Sequence, residues 1–512
     1  MKKLRGLFRV VFGRTAFVIL FLLIQVGILF GVIRWLGDYL IYAYGLALII
    51  TSFAVIYILN ARENASFKMA WIIPVLVFPV FGVLFFLFMH VQLRTRILKL
   101  RLKMTRKMAA PCLTQNAAVT DRLAKDDPSQ FRLAGYMNRW AGFPVYENTS
   151  VCHFPLGEDK FEALKRELRA AKEFIFMEYF IIERGTMWNQ ILEILEQKVK
   201  EGVEVRVMYD GMCSLILLPY GYPKELEKKG IRCKMFSPIK PTLSTYQNNR
   251  DHRKIVVIDG RTAFTGGVNL ADEYINAKVR FGHWKDTAVM IKGDAVTSFT
   301  MMFLQMWNVT EKEQDDYRAF LREPLPVEGG EGYVLPFGDS PMDNEQVGEQ
   351  LYLDILNQAE DYVHIMTPYL ILDDEMENAL CFAAKRGVDV TLIMPHIPDK
   401  LYAYLLARTY YPELIEAGVK VYEYTPGFVH AKEFISDDSK AVVGTINLDF
   451  RSLYLHFECA AYIYKNPVVL EIERDFQATI TKCKPVTLEE CRRYPFFKRA
   501  AGRALRLFAP LM

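Results

Sequence analysis

The sequence predicts an α/β protein: two tandem, related domains of mixed sheet flanked by helices, behind an N-terminal block of membrane helices. Three observations predict it. Apolar runs crowd the segment between residues 16 and 89, strand–helix–strand patterns recur in two later stretches, and one set of His, Lys, Asp, Gly and Asn recurs in both at identical spacing. The 512 residues suffice for two domains and an anchor, and a hydrophobic share of 52% exceeds the soluble norm. A net charge of +4 is too small to argue for a nucleic-acid binder. The eight cysteines form no C-x-x-C pair and read as reduced thiols, with neither zinc nor redox motif.

The apolar runs are Ala16 to Ile33, Leu40 to Leu59 and Met69 to Met89. The last two are long enough to cross a hydrocarbon core of about 30 Å as helices, and Pro74 and Pro79 are tolerable there. The first follows the basic residues Lys2, Lys3, Arg5, Arg9 and Arg14, but no small-residue cleavage site follows it, so it reads as retained. Basic residues also follow the third run, from Arg94 to Lys107. Positive charge on both flanks calls for an even number of crossings, with the rest of the chain on the cytoplasmic side. We therefore expect two spans, 40–59 and 69–89, with the first run interfacial or re-entrant; three spans is the alternative. Residues 91–107 read as a basic helix against anionic headgroups or a solvated linker helix, and a similar basic, aromatic stretch ends the chain.

Beyond the anchor the chain repeats itself. Phe174–Ile182 and Val363–Ile371 are apolar, β-branched strands; each precedes a helical stretch and a second strand, Val203–Met208 and Val388–Ile393. Third strands follow at 230–236 and 418–424. The expected organisation is an anchor at 1–92, a basic juxtamembrane linker at 93–134, one domain at 135–322, a Pro/Gly linker at 323–332 and a second domain at 333–512.

The chemistry recurs in register. His252, Lys254, Asp259, Gly266 and Asn269 match His430, Lys432, Asp437, Gly444 and Asn447, both fitting H-x-K-x4-D-x6-G-[GT]-x-N. Chance rarely produces this twice in matching folds. Alternation along a strand would put His252 and Lys254 on one face. Two such halves facing each other would pool two imidazoles and two ammoniums in one site. One imidazole can attack phosphorus, and the other can protonate the leaving alkoxide. Two lysines and two asparagine amides can stabilise the phosphoryl oxygens, and an acidic residue can orient each imidazole. Two histidines and an aspartate can also hold a divalent ion; the paired lysines argue against it, so no metal or other cofactor is expected.

The paired motif resembles the two HKD motifs of the phospholipase D superfamily. Longer strings are similar to bacterial cardiolipin synthases: Asn249–Gly260, Gly266–Tyr274, Trp284-Lys-Asp-Thr287, Asn447–Leu453 with Phe457-Glu458, and the tail Arg506–Met512. The resemblance implies tandem phospholipase D-like domains related by a pseudo-twofold. It implies conversion of two phosphatidylglycerols to cardiolipin and glycerol by a ping-pong route, without metal or nucleotide. It further implies that Glu273 and Glu458 support the histidines, that His252 is the nucleophile and that His430 is the acid/base. The expected partners are phosphatidylglycerol and other anionic membrane lipids, without nucleic acid. Alternatives using the same site are a phospholipase D-type hydrolase, a nuclease or another phosphatidyltransferase; a scaffold without activity belongs to a different class. The remaining histidines carry no expected role: His364 and His456 read as structural, His396 as a loop residue, and His90, His153 and His283 have no partner pattern. The loop 237–251 is a candidate lid, and the apolar loop 212–223 a candidate acyl-chain path.

Overall fold

A computed structural model describes residues 40–90, 93–238, 248–343 and 345–511, with isolated positions before residue 40. The first apolar run and most of the candidate lid therefore lie outside the described residues. The described residues form two compact units. One holds the apolar helices up to Ile97 and Leu507–Leu511; the other holds Leu98–Pro238 and Asn249–Arg506.

In the first unit the expected span 40–59 is the helix Leu40–Asn60. The expected span 69–89 is not one helix. It breaks into Ala65–Val77 and Pro79–His90, with Phe78 extended at φ −128°, ψ 73°. Pro79 causes the break: its ring disfavours helical backbone at the preceding residue, and it has no N–H to continue the ladder. The chain turns so sharply that a Cβ on Gly82 would lie 2.4 Å from the Pro74 carbonyl, so only glycine fits there. Ile58, Ile72, Val75, Val83 and Phe86 pack the helices together, while Ile41, Phe53, Leu84 and Phe88 point outward. An apolar exterior of this extent suits lipid rather than water. By length and composition the helical stretch Pro79–Cys112 is sufficient to cross a membrane.

The expected juxtamembrane linker is, from Leu98 on, part of the second unit. Leu98, Leu102, Thr105 and Ala109 are buried at helical spacing, Arg101 donates to the Val309 carbonyl at 3.1 Å, and Arg106 pairs with Asp343. One apolar stripe, Leu98, Leu102 and Ala109, thus faces protein, while Ile97, Leu100, Met104 and Met108 stay exposed among the basic residues.

The strands of the first half are β1 (Thr149–Phe154), β2 (Phe174–Tyr179), β3 (Glu204–Asp210), β4 (Arg232–Phe236), β5 (Ile255–Ile258), β6 (Thr262–Gly266), β7 (His283–Lys285) and β8 (Ala288–Gly293). Those of the second are β9 (Tyr333–Asp339), β10 (Tyr362–Met366), β11 (Asp389–Pro395), β12 (Lys420–Tyr424), β13 (Gly427–Val429), β14 (Glu433–Ser436), β15 (Lys440–Gly444), β16 (Glu458–Tyr464) and β17 (Cys483–Pro485). The sheets run β1-β8-β6-β5-β2-β3-β4 and β9-β16-β15-β14-β10-β11-β12-β17. Apart from β17 they are one topology used twice, with parallel pairs β2-β3-β4 and β10-β11-β12 continued by antiparallel strands. Helix Val296–Asn308, buried along nearly its whole length, touches β2 and β5 of one sheet and β9 of the other, which is why its sequence carries no charged residue. Strand β6 meets β15 and β16 across the halves, and β7 pairs in parallel with β13.

Candidate active site

Each His-x-Lys lies just before a four-residue strand, β5 or β14, in extended chain rather than on the strand itself. The motif aspartates lie at the opposite ends of those strands. Asp259 and Asp437 adopt left-handed backbone, φ 53° and 50°, at the turns that follow. The Asp259 carboxylate accepts the backbone N–H groups of Lys172, Glu173 and Phe174 at 2.8–2.9 Å. The Asp437 carboxylate accepts those of Glu360, Asp361 and Tyr362 at 2.9–3.1 Å. A run of seven extended residues spans about 20 Å, so neither aspartate reaches an imidazole. Their expected place among the reacting groups is corrected: they pin the starts of β2 and β10.

The imidazoles are oriented across the halves. The His252 backbone N–H donates to the Phe457 carbonyl at 2.9 Å, and that of His430 to the Lys285 carbonyl at 2.7 Å. His252 Nδ1 lies 2.9 Å from both oxygens of Glu458, and His430 Nδ1 lies 2.7 Å from Asp286 Oδ2. Each ring is therefore held by a carboxylate from the other repeat. Glu273, expected to support a histidine, instead pairs with Arg280 at 2.9 Å, and Asp286 takes the expected role. Sheet register shows why. Gly266 pairs with Ala288 and Gly444 with Ala460, so Asp286 and Glu458, two residues earlier, are equivalent positions. The signal was present in Trp284-Lys-Asp-Thr287, but only strand pairing aligns it with Phe457-Glu458.

The surrounding rings differ. Phe180 and His456 lie 4.9 and 5.5 Å from His252, centroid to centroid. Tyr274 and Trp284 each lie 5.4 Å from His430. Lys254 Nζ donates to the His252 carbonyl at 2.6 Å, and Lys432 Nζ to the His430 carbonyl. Both lysines are buried. Asn269 is fully engaged, accepting from the Ile181 N–H at 3.0 Å and donating to the Tyr274 hydroxyl at 2.8 Å. The buried Asn447 Oδ1 has no partner among the described residues.

A family model described as the PLD-like domain of cardiolipin synthase matches residues 164–307 and 352–480, and a phospholipase D-nuclease N-terminal model matches 49–89. The chain belongs to the phospholipase D-like cardiolipin synthase family. It is 34% identical to a cardiolipin synthase of Geobacillus kaustophilus, over 91% of this chain and 94% of that one. It is 32% identical to one of Halalkalibacterium halodurans, over 97% and 99%. A solved phosphatidylserine synthase of Haemophilus influenzae shares the fold, with a TM-score of 0.54 at 14% identity, covering 74% of this chain and 99% of that one. The N-terminal match and the outward apolar side chains make this family member membrane-associated.

Burial sets the electrostatics of the family site. It lowers both imidazoles well below their ordinary value, with the neighbouring ammoniums of Lys254 and Lys432 adding to the effect. Burial also pushes Lys254 down to about 8 and Lys432 to about 7. For Glu458, burial acts upward, but the neighbouring His252 and His456 imidazoles together outweigh it and hold the carboxyl well below its ordinary range. Asp286 is raised by burial to about 6. The sequence reading missed a further buried amine, Lys160. It donates to the Tyr179 hydroxyl at 2.9 Å, is lowered to about 7 by burial, and has Asp286 and Lys254 as its charged neighbours. The site thus concentrates cationic groups that burial disfavours, and an entering phosphodiester anion offsets that cost.

Proposed function

We propose that this chain is a cardiolipin synthase that transfers a phosphatidyl group between two phosphatidylglycerol molecules. The observation that carries the reading is the pair of crossed imidazole–carboxylate contacts, His252 with Glu458 and His430 with Asp286, each beside a buried lysine. The relatives of Geobacillus kaustophilus and Halalkalibacterium halodurans, both named as cardiolipin synthases, support the substrate class.

With Nδ1 of each ring engaged by a carboxylate, Nε2 is the nitrogen available for chemistry. His252 Nε2 attacks phosphorus of the first phosphatidylglycerol, and the bond from phosphorus to the terminal glycerol oxygen breaks. That oxygen takes a proton from His430 and leaves as glycerol. The glycerol hydroxyl of a second phosphatidylglycerol then gives its proton to His430 and attacks phosphorus. The nitrogen–phosphorus bond breaks, cardiolipin forms and His252 is restored. Lys254 and Lys432 stabilise the charge on the non-bridging oxygens. The low pKa of the free imidazoles keeps His252 neutral for attack; the bound anion raises that of His430, so that it can act as an acid. Asn447 lies ready to hydrogen-bond the same group, whereas Asn269 acts by holding the loops around it.

The same reading makes the protein multi-pass, with the catalytic halves, 135–322 and 333–512, on the cytoplasmic face, because basic residues flank the apolar block on both sides. Protease access to a C-terminal tag in sealed vesicles of known orientation tests the side. Incubation of the full-length protein with glycerol-labelled phosphatidylglycerol tests the reaction. Cardiolipin and free glycerol are expected, whereas phosphatidic acid as the sole lipid product would assign hydrolysis instead.

A further inference from the structure

Neither nitrogen of the His456 ring has a hydrogen-bond partner among the described residues, although the residue is only 9% exposed. Buried polar groups are nearly always bonded, so an imidazole unbonded on both sides points to a missing partner. The ring stands 5.5 Å from that of His252 and 6.4 Å from that of Phe180. Its Nδ1 is 3.8 Å from Glu458 Oε1, beyond hydrogen-bond distance. Expected to be structural, His456 is part of the wall around His252. Register identifies its counterpart: His456 and Trp284 each stand two residues before the supporting carboxylate. The same place holds an indole beside His430 and an imidazole beside His252, so the repeat departs from its own symmetry next to the phosphorus-attacking ring.

Charge decides what the missing partner is. The ligand atoms of His252, His456 and Glu458 lie within 4.8 Å of one another, a spacing compatible with a metal ion. However, the Glu458 carboxylate is already engaged by His252 Nδ1 at 2.9 Å, and the Lys254 ammonium bears on His252 and on Lys432, beside the Asp286 and Glu458 carboxylates. With the carboxylates committed to the imidazoles, the two ammoniums repel a cation and attract an oxyanion. We propose that His456 is a third active-site imidazole, donating an N–H to a non-bridging oxygen of the phosphoryl group while that group is carried on His252. The inference rests on the function proposed above and on His252 as the attacking residue. His456 makes and breaks no covalent bond and keeps its proton. The bond that forms is from His252 Nε2 to phosphorus, and the bond that breaks is from phosphorus to the glycerol oxygen, whose proton comes from His430. His456 steadies the oxygens on which charge grows, and it does so on one side of the site only.

The test uses full-length wild type, H456F and H456N in detergent, titrated calorimetrically with sodium tungstate, a tetrahedral oxyanion, and assayed for kcat and KM with phosphatidylglycerol. H456F should weaken tungstate binding and lower kcat by roughly tenfold or more, with KM moving less than about threefold; H456N, which keeps an N–H donor, should recover most of both losses. Wild-type tungstate affinity in H456F overturns the proposal, as does H456N behaving like H456F, since the ring would then only fill space. Should H456F not fold, tungstate protection of His456 against diethylpyrocarbonate in the wild type decides, read by peptide mass; protection supports the role, and unchanged reactivity overturns it. Tungstate binding that depends on His456 in a protein making no cardiolipin would leave the anion site standing and remove the proposed function.

Discussion

The two half-sites are copies in backbone and unlike in their walls. In both, an extended His-x-Lys enters a short strand, the histidine N–H meets a carbonyl of the other repeat, and Nδ1 meets a carboxylate two residues before an equivalent strand position. Around His252 the neighbours are Phe180 and His456; around His430 they are Tyr274 and Trp284, with Lys400 as a further charged neighbour. The shared part builds a place for phosphate. The unshared part gives each imidazole its own task, which a symmetric pair would leave undecided.

Removing each ring in turn breaks the comparison most severely. H252A should lose at least about 10⁴-fold in kcat, as nucleophile deletions do, and H430A about 10²–10⁴-fold, as loss of a general acid/base does. With labelled donor, H430A should form an acid-labile phosphohistidine only slowly and H252A none; a labelled adduct on H252A would exchange the two roles. The carboxylates come next. E458Q and D286N should each cost on the order of 10²-fold or more by releasing the ring tautomer, and similar losses in the two would show that the crossed contacts are equivalent. Titration gives a smaller effect. With Lys432 at about 7 and Lys254 at about 8, both lowered by burial, each ammonium is lost as pH rises through its value. The kcat/KM of the free enzyme should therefore fall by roughly tenfold between about pH 7 and 8 and more steeply above that, and kcat should fall at higher pH, because bound phosphodiester raises both lysines; a profile flat to pH 9 contradicts this.

The smallest effects belong to residues that share the motif without reaching the rings. D259N and D437N should each destabilise the fold by about 1–3 kcal/mol through lost backbone hydrogen bonds, read as a lower melting temperature, while kcat of the folded protein changes less than about threefold. E273Q should change kcat less than about threefold as well, since its partner is Arg280. A loss comparable to that of E458Q would restore Glu273 to the role first expected of it.

What the sequence made legible follows from distance along the chain. His252, Lys254, His430 and Lys432 were readable because both repeats carry them at fixed local spacing, and the doubled sheet because each strand advertises its own apolar pattern. Asp286 and His456 were not, since they reach the histidines through pairing between β6 and β8 and between β15 and β16, a register no local pattern encodes. Asp259 and Asp437 misled for the opposite reason: motif membership is proximity in sequence, and seven residues of extended chain carried them away. The broken span at Phe78 was written plainly in Pro79, but apolar composition outweighed it.

The crossed contacts also set when the protein can first act. His252 is translated 206 residues ahead of Glu458, the group that orients it, and Asp286 must wait 144 residues for its ring to arrive. A growing chain emerging beside the bilayer thus carries no competent centre until nearly all of it has been made. Premature cleavage of the host membrane's own lipids by a half-finished polypeptide is excluded by geometry, without any separate inhibitor.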